Sequence, residues 1–212
     1  GGAPATHVGR RPSFGFTPLE FPEEGAGAGE VQSARTAQLA GAISPGVPLV
    51  SGWPPPPGGE SFLGSLLTLR AEYLDVLQPL SFRAARDIRW HAPGGEEPAW
   101  DSEDAAGAAR EGGLGAGGAG VPAEGSAPPP ERFLGISIWS ADGARSLYAA
   151  FNGSGRAMAA LPPSTPAGRQ WVQRVDTAAA ASSLCGKRPV PPGSAVPVQP
   201  GSGVLLELST TA

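Results

Sequence analysis

The chain has few of the residues that build a large or cross-linked core. Its 212 residues include one cysteine and one methionine, and leucine, valine, isoleucine and phenylalanine together make up under a fifth of it. A single cysteine excludes an intrachain disulfide framework and a cysteine-based metal site. No apolar run approaches the roughly 18 to 20 residues that a membrane-spanning helix requires, so the sequence predicts no membrane partner.

Positive charge is also limited. The chain has 15 Lys and Arg residues against 19 Asp and Glu residues, which gives a formal net charge of -4 at pH 7. Nucleic-acid-binding domains concentrate basic residues on one face or stripe, and this sequence contains no such stripe. The sequence therefore predicts no nucleic-acid partner.

Glycine and proline are abundant instead, because 32 glycines and 25 prolines together exceed a quarter of the chain. Breaker residues recur through residues 1–58, which predicts an irregular segment with at most a short helical turn near residues 30–39. Residues 101–131 contain almost no large apolar side chain, so burial cannot offset the entropy of ordering them. That stretch is predicted to be a disordered insertion.

One amphipathic helix is indicated within residues 59–81. Large apolar side chains recur there at spacings of three and four: Phe62, Leu66, Leu69, Tyr73 and Leu77. This periodicity is typical of a helix that buries one face. Ser61 is the predicted N-cap, and Pro79 is predicted to end the helix.

Short alternating runs bounded by turn residues predict strands through residues 82–212. They lie at residues 87–91, 132–140, 145–152, 157–161, 169–177, 195–198 and 203–209. The second and third flank an Asp-Gly turn, which predicts a hairpin. Strands without intervening helices favour a mainly β fold, an antiparallel β-sandwich, preceded by the one helix.

Candidate metal and phosphate sites are weak. His7 and His91 lie in separate segments and suit solvated or core positions better than a metal site. Residues 113–118 read "GLGAGG" and formally match a dinucleotide-binding loop, but no strand precedes them and no helix follows. The sequence therefore predicts no metal ion and no cofactor.

The candidate glycosylation and acid–base residues are also better explained as turn and loop residues. Asn152, Gly153 and Ser154 form a glycosylation sequon, yet Asn-Gly is also a turn dipeptide, and we favour the turn. Acidic pairs at residues 23–24 and 96–97 lie in loop contexts, where nothing would hold them in opposition across a sugar. The sequence predicts no catalytic residue.

The tryptophans divide into two groups. Trp139 and Trp171 lie on predicted strands and are expected in the core. Trp90 and Trp100 flank a loop, where an exposed indole can stack on the face of a sugar ring. These two are the predicted carbohydrate-binding residues.

Three segments in order resemble the C-terminal region of isoamylase-type debranching enzymes, the starch and glycogen α-1,6-glucosidases of the α-amylase superfamily. They are the helix with "LLTLR", then "IRWHA" with "EPAW", then "SIWSADGARSLYAAFNGS" with "LPPS" and "GRQWVQRVDT". The family has glycine where this chain has Ala92, and aspartate where it has Ala99. The segment at 101–131 looks like an insertion relative to the family.

The resemblance implies a non-catalytic part of a glycoside hydrolase, present as a fragment or a divergent relative. The catalytic carboxylates of the family lie in a (β/α)8 barrel upstream, and no position here matches their motifs. The implied partner is that barrel in cis or an isoamylase subunit in trans, with α-glucan as a possible ligand. The implied compartment is the plastid stroma, or the cytoplasm for a bacterial source.

Two alternatives stay open from the sequence. One is a glucan-binding or scaffolding module in which Trp90 and Trp100 recruit an active debranching partner to starch or glycogen. The other is a mostly disordered interaction protein, because glycine and proline are so frequent.

Overall fold

The computed structural model describes residues 16–19, 27–44, 47–50, 59–78, 87–98, 132–179 and 187–211. These residues form three helices: α1 (Ala28–Ile43), α2 (Gly59–Glu72) and α3 (Leu74–Leu77). They also form ten strands: β1 (Phe16–Leu19), β2 (Val47–Val50), β3 (Ile88–His91), β4 (Phe133–Trp139), β5 (Ser146–Asn152), β6 (Met158–Ala160), β7 (Arg169–Asp176), β8 (Arg188–Val190), β9 (Val196–Val198) and β10 (Ser202–Thr210).

The largest sheet has six strands in the order β3-β4-β5-β10-β7-β8, and every neighbouring pair is antiparallel. The expectation of a mainly β, antiparallel fold is therefore confirmed. Strands β4 and β5 form the predicted hairpin. Gly143 in their turn has φ +70°, which glycine adopts without strain, and the Asp142 carboxylate accepts the Ala144 N–H at 2.9 Å.

Alternating side chains of the large sheet enter two separate cores. In β5, Leu147 and Ala149 join a cluster on the side of the helices, whereas Tyr148 and Ala150 join a cluster on the opposite side. This two-residue period is the one that the hairpin sequence predicts. We call the two surfaces the helix face and the outer face of the sheet.

The outer face is covered by the antiparallel pair β6–β9, with Ala160, Val196 and Val198 in its core cluster. Trp171 is buried there, and half-buried Trp139 packs edge-on against it with ring centroids 6.2 Å apart. The core placement predicted for Trp171 is confirmed, whereas Trp139 packs against the edge of the core and stays partly exposed. Strand β8 was not predicted, and its three residues pair with β7.

Helices α2 and α3 lie where the sequence predicts one helix, and Tyr73 interrupts the helix between them. All five residues of the apolar stripe from Phe62 to Leu77 are buried. The start of the helix corrects one expectation, because α2 begins at Gly59 and Ser61 lies inside its first turn rather than at the N-cap. Helix α3 ends at Leu77, so the chain leaves the helix before Pro79, which lies outside the described residues.

Helix α1 corrects the expectation that residues 1–58 are irregular with a short helical turn at most. It has 16 residues, and Leu39, Ala42 and Ile43 near its end are buried in the helix-face core. Arg70 of α2 is also buried and donates to the C-terminal backbone of α1, with 2.8 Å from Nη1 to the Ser44 carbonyl. The helix was underestimated because its stability comes from tertiary packing rather than from local periodicity.

Strands β1 and β2 were also not predicted. They pair in parallel, Phe16 opposite Val47 through Leu19 opposite Val50, and α1 connects them. A parallel pair needs such a crossover, because a tight turn cannot return the chain to the start of the next strand. The insertion predicted at 101–131 lies outside the described residues. None of the helices in the described ranges is long and apolar enough to cross a membrane.

Candidate functional site

Trp90, one of the two predicted carbohydrate-binding residues, lies in β3 at the edge of the six-stranded sheet. Its side chain is 40% exposed and points to the helix face beside Ile88. The exposure follows from the edge position, because β4 covers one side of β3 and no described strand covers the other. Trp100, the second predicted residue, lies outside the described residues.

Trp90 borders a groove of about 630 Å³ between α1 and the β3 edge of the sheet. Its walls are apolar, with Ala40 and Ile43 from the helix and Ile136 and Phe151 from the strands. Sugar sites combine an aromatic platform with polar groups that hydrogen-bond the hydroxyls. The chemistry of this groove suits an apolar surface better than a sugar.

The polar side chains at the rim of this groove are largely engaged already. The Thr36 hydroxyl lies 2.8 Å from the Thr177 hydroxyl, and the Ser44 hydroxyl donates to the Ala40 carbonyl at 2.7 Å. Few groups remain to replace the water that a sugar hydroxyl loses on binding. The exposure of Trp90 therefore supports a carbohydrate platform less than the sequence suggested.

His91 follows Trp90 in β3 but points to the outer face and is buried. Its Nε2 lies 2.9 Å from Ser137 Oγ, and its Nδ1 lies 3.1 Å from the Gly95 carbonyl. Both ring nitrogens are used in structural hydrogen bonds, which agrees with the core role favoured from the sequence. Within the described residues no cluster of His, Cys, Asp and Glu could hold a metal ion, and His7 lies outside them.

The side chain of Asn152 confirms the turn interpretation of the sequon. It is buried, and its Nδ2 donates to the Arg156 carbonyl at 2.7 Å and to the Val198 carbonyl at 2.9 Å. Its Oδ1 accepts the backbone N–H of Ser154 at 2.9 Å. An amide nitrogen buried between two carbonyls cannot receive a glycan in the folded protein.

The remaining sequence candidates contribute no assembled site. Glu96 and Glu97 are exposed in the loop after β3, where the Glu96 carbonyl accepts the Ala92 N–H at 2.8 Å. The glycine-rich residues 113–118 and the acidic residues 23–24 lie outside the described residues. Solvated loop positions are therefore the structural role of the one acidic pair that can be placed.

A buried charged cluster at Glu207 was not predicted. The Glu207 carboxylate accepts the Tyr73 hydroxyl at 2.8 Å, is paired with Arg174, and lies 3.6 Å from Lys187 Nζ. Burial, followed by the hydrogen bond to Glu207, raises the pKa of Tyr73 to about 12. The sequence feature that could have revealed this cluster is a charged residue at an inward-facing position of the otherwise apolar strand "GVLLELS".

The Glu207 cluster ties the junction of α2 and α3 to the sheet rather than forming a reaction centre. Among the buried residues that the structure describes, Glu207 is the sole carboxylate, and its partners are two cations and a phenol. Glycoside hydrolysis in most families needs two carboxyl groups facing each other across the scissile bond. This arrangement does not provide them.

Comparison with known proteins gives no assignment. No protein-family model matches the chain, and no curated protein matches its sequence.

Proposed function

We propose that this chain is the end of a β/α barrel together with the non-catalytic β-sandwich domain that follows it in an isoamylase-type α-1,6-glucan debranching enzyme. The carboxylates that hydrolyse the glycosidic bond belong to the remainder of the barrel, in cis or in a partner subunit. The six-stranded sheet and the β6–β9 pair are the two layers of the sandwich. The corresponding compartment is the plastid stroma, or the cytoplasm for a bacterial source.

The observation that carries this proposal is the element order β1–α1–β2–α2, which with the short α3 precedes the antiparallel sheet. Two parallel strands joined by a helix are the repeating unit of a β/α barrel. The sequence resemblance independently implies that α2 is the last barrel helix. The proposal thus rests on a structural unit and a set of motifs that agree in order along the chain.

The β1–β2 sheet is also incomplete by the usual rules for parallel sheets. Such sheets are found almost entirely with several strands and with both faces covered. Among the described strands, β1 and β2 pair with each other alone. Further barrel strands beside them would supply the missing hydrogen-bond partners.

The test is complementation of a truncated enzyme. The barrel of an isoamylase, expressed without its last two β/α units and its C-terminal domain, is co-expressed with this 212-residue chain. We expect the two to co-purify and to release linear maltooligosaccharides from amylopectin, while each part alone releases none. Release by the chain alone, or failure both to co-purify and to restore activity, contradicts the proposal.

A glucan-binding module that recruits an active debranching partner is the second candidate, supported by the exposed indole of Trp90. It predicts that the chain is retained on amylopectin and that Trp90→Ala or Trp100→Ala abolishes retention. Retention that is unaffected by both substitutions contradicts this candidate and leaves the barrel proposal intact.

A further inference from the structure

A polar pocket of about 380 Å³ lies on the outer face of the sheet, on the opposite side from Trp90. Strand β3 and the residue before it contribute Asp87 and Arg89, and the end of β4 contributes Trp139. The hairpin turn and the loop after β6 close it with Asp142 and Ser164. The pocket therefore combines an indole with charged and hydroxyl groups, which the groove at Trp90 does not.

The Asp87 and Arg89 side chains of this pocket are available for a ligand. Asp87 and Arg89 are two residues apart, so they project to the same face of the strand. Neither the carboxylate nor the guanidinium forms a hydrogen bond or an ion pair with another residue that the structure describes. The Asp87 carboxylate offers hydrogen-bond acceptors and the Arg89 guanidinium offers donors, and the two groups are not already paired with each other.

Trp139, the aromatic wall of the pocket, is held in place by its contacts with the core. Trp139 is half-buried and packs edge-on against Trp171, which in turn donates from Nε1 to the Pro163 carbonyl at 2.7 Å. The Trp139 backbone N–H donates to the Asp87 carbonyl at 2.8 Å. An indole fixed in this way loses little side-chain entropy when a ligand stacks on it.

The hairpin turn at the pocket mouth is equally fixed. Asp142 Oδ1 accepts the Ser140 hydroxyl at 2.6 Å and the Ala144 N–H at 2.9 Å. The Ser140 hydroxyl also accepts the Arg145 N–H at 2.9 Å. The walls of the pocket are thus preorganised by hydrogen bonds that leave the side chains of Asp87 and Arg89 unused.

The composition of the walls selects a class of ligand. The lining carries two carboxylates, those of Asp87 and Asp142, and one guanidinium, that of Arg89, so its negative charge is in excess and the pocket does not favour an anionic ligand. A planar indole presents a face for the C–H groups of a sugar ring, and the charged pair can hydrogen-bond neighbouring hydroxyls. A neutral ligand with many hydroxyl groups uses all of these features together.

We infer that this pocket is a carbohydrate-binding subsite in which Trp139 is the stacking platform and Asp87 and Arg89 bind the hydroxyls. The volume of about 380 Å³ lies near the lower end of the roughly 300–1,000 Å³ typical of small-molecule sites, which suits a few sugar rings of a longer chain. The choice of α-glucan as the sugar rests on the proposed function. It places glucan binding away from Trp90 and away from the helix face.

Isothermal titration of the 212-residue chain with maltoheptaose tests this inference. We expect saturable binding that Arg89→Ala weakens at least tenfold and Asp87→Asn weakens severalfold. Both residues lie outside the core clusters, so the variants should keep the thermal midpoint of the unsubstituted chain. Trp139→Phe keeps an aromatic ring in the core and should weaken binding by an intermediate factor.

Two matched controls separate the pocket from the rest of the surface. Arg188→Ala removes an exposed arginine at the opposite edge of the sheet, and Trp90→Ala removes the indole on the opposite face of β3. Both should leave maltoheptaose affinity unchanged within twofold. No saturable binding, or equal weakening by Arg89→Ala and by either control, overturns the inference.

The outcome is independent of the complementation test. Failure of maltoheptaose binding with successful assembly on the barrel overturns the subsite alone. Binding that depends on Arg89, together with failed assembly, overturns the barrel proposal and keeps the subsite.

Discussion

Two buried tyrosines differ in whether the side-chain hydroxyl has a hydrogen-bond partner, so the same substitution can be tested in both environments. The Tyr73 hydroxyl donates to the Glu207 carboxylate at 2.8 Å. Tyr148 is fully buried between the sheet and the β6–β9 pair, and its hydroxyl has no hydrogen-bond partner among the described residues. Replacing each with phenylalanine removes one oxygen atom and keeps the ring.

The expected changes in the free energy of unfolding have opposite signs. A hydrogen bond to a charged group contributes roughly 1.5–3 kcal/mol, so Tyr73→Phe should destabilise the protein by about 2 kcal/mol. The Arg145 guanidinium, 4.2 Å from the centre of the Tyr73 ring, keeps its aromatic partner in that variant. A buried hydroxyl without a partner costs about 1–3 kcal/mol, so Tyr148→Phe should stabilise the protein by about 1 kcal/mol after the lost packing is subtracted.

Urea denaturation measures both changes under one condition. The midpoint should fall for Tyr73→Phe and rise for Tyr148→Phe, with the slope m unchanged in both. The two variants should therefore differ by about 3 kcal/mol, and each is the control for the other. Midpoints that move in the same direction would refute the argument that the hydrogen bonding of each hydroxyl sets the sign of the change in stability.

Three further predictions follow from buried polar groups. The pKa of Tyr73 is raised to about 12 from its ordinary value near 10, so its stabilising contribution is complete below pH 10 and is lost as the pH rises through 12. Urea midpoints should therefore fall more steeply with pH in the unsubstituted chain than in Tyr73→Phe over that interval, and parallel slopes contradict this. Arg70→Met keeps the apolar stem but removes the donors at the end of α1, and should lower stability by about 2–3 kcal/mol in the same assay, whereas the exposed Arg188→Met should lower it by under 0.5 kcal/mol. Asn152→Ala removes the side-chain donor to the buried Val198 carbonyl and the acceptor of the Ser154 N–H, and should cost at least about 2 kcal/mol, and a change under about 0.5 kcal/mol would exclude the buried amide network.

The strands of the C-terminal half, except β8, could be predicted because their signals are local. Alternation in residues 133–152 matches the two faces of β4 and β5, and the Asp-Gly pair matches a turn in which Gly143 has positive φ. The stripe along α2 and α3 is similarly local, since five large side chains recur at helical spacing. Such patterns need no knowledge of distant residues.

Helix α1 and strands β1 and β2 could not be predicted for the opposite reason. The sequence of α1 is rich in alanine and small polar residues, so the buried and exposed faces of the helix differ little in hydrophobicity. Its last turn is stabilised by Arg70, 26 positions beyond Ser44 in the chain. The parallel pairing of β1 with β2 depends on the crossover and leaves no signature in either four-residue strand.

The candidate sites also divide into features that the local sequence predicts and features that depend on distant residues. The exposure of Trp90 could be expected from its place beside a loop, but the apolar character of its groove depends on α1, which the sequence did not reveal. The pocket at Trp139 was missed because this tryptophan was assigned wholly to the core. A half-buried indole can fill a core with one edge and line a pocket with the rest, and only the position of Asp87 and Arg89 beside it shows the second role.

The six-stranded sheet separates the two proposed activities physically. Helices α1 and α2 contribute to the helix-face core, whereas the pocket proposed as a carbohydrate subsite opens on the outer face. Sites on opposite faces of a rigid sheet share no side chain, and effects of substitutions at distant, independent sites usually add. Arg89→Ala should therefore weaken maltoheptaose binding without changing assembly with a barrel, and loss of barrel assembly in that variant would show that the two faces are coupled through the sheet.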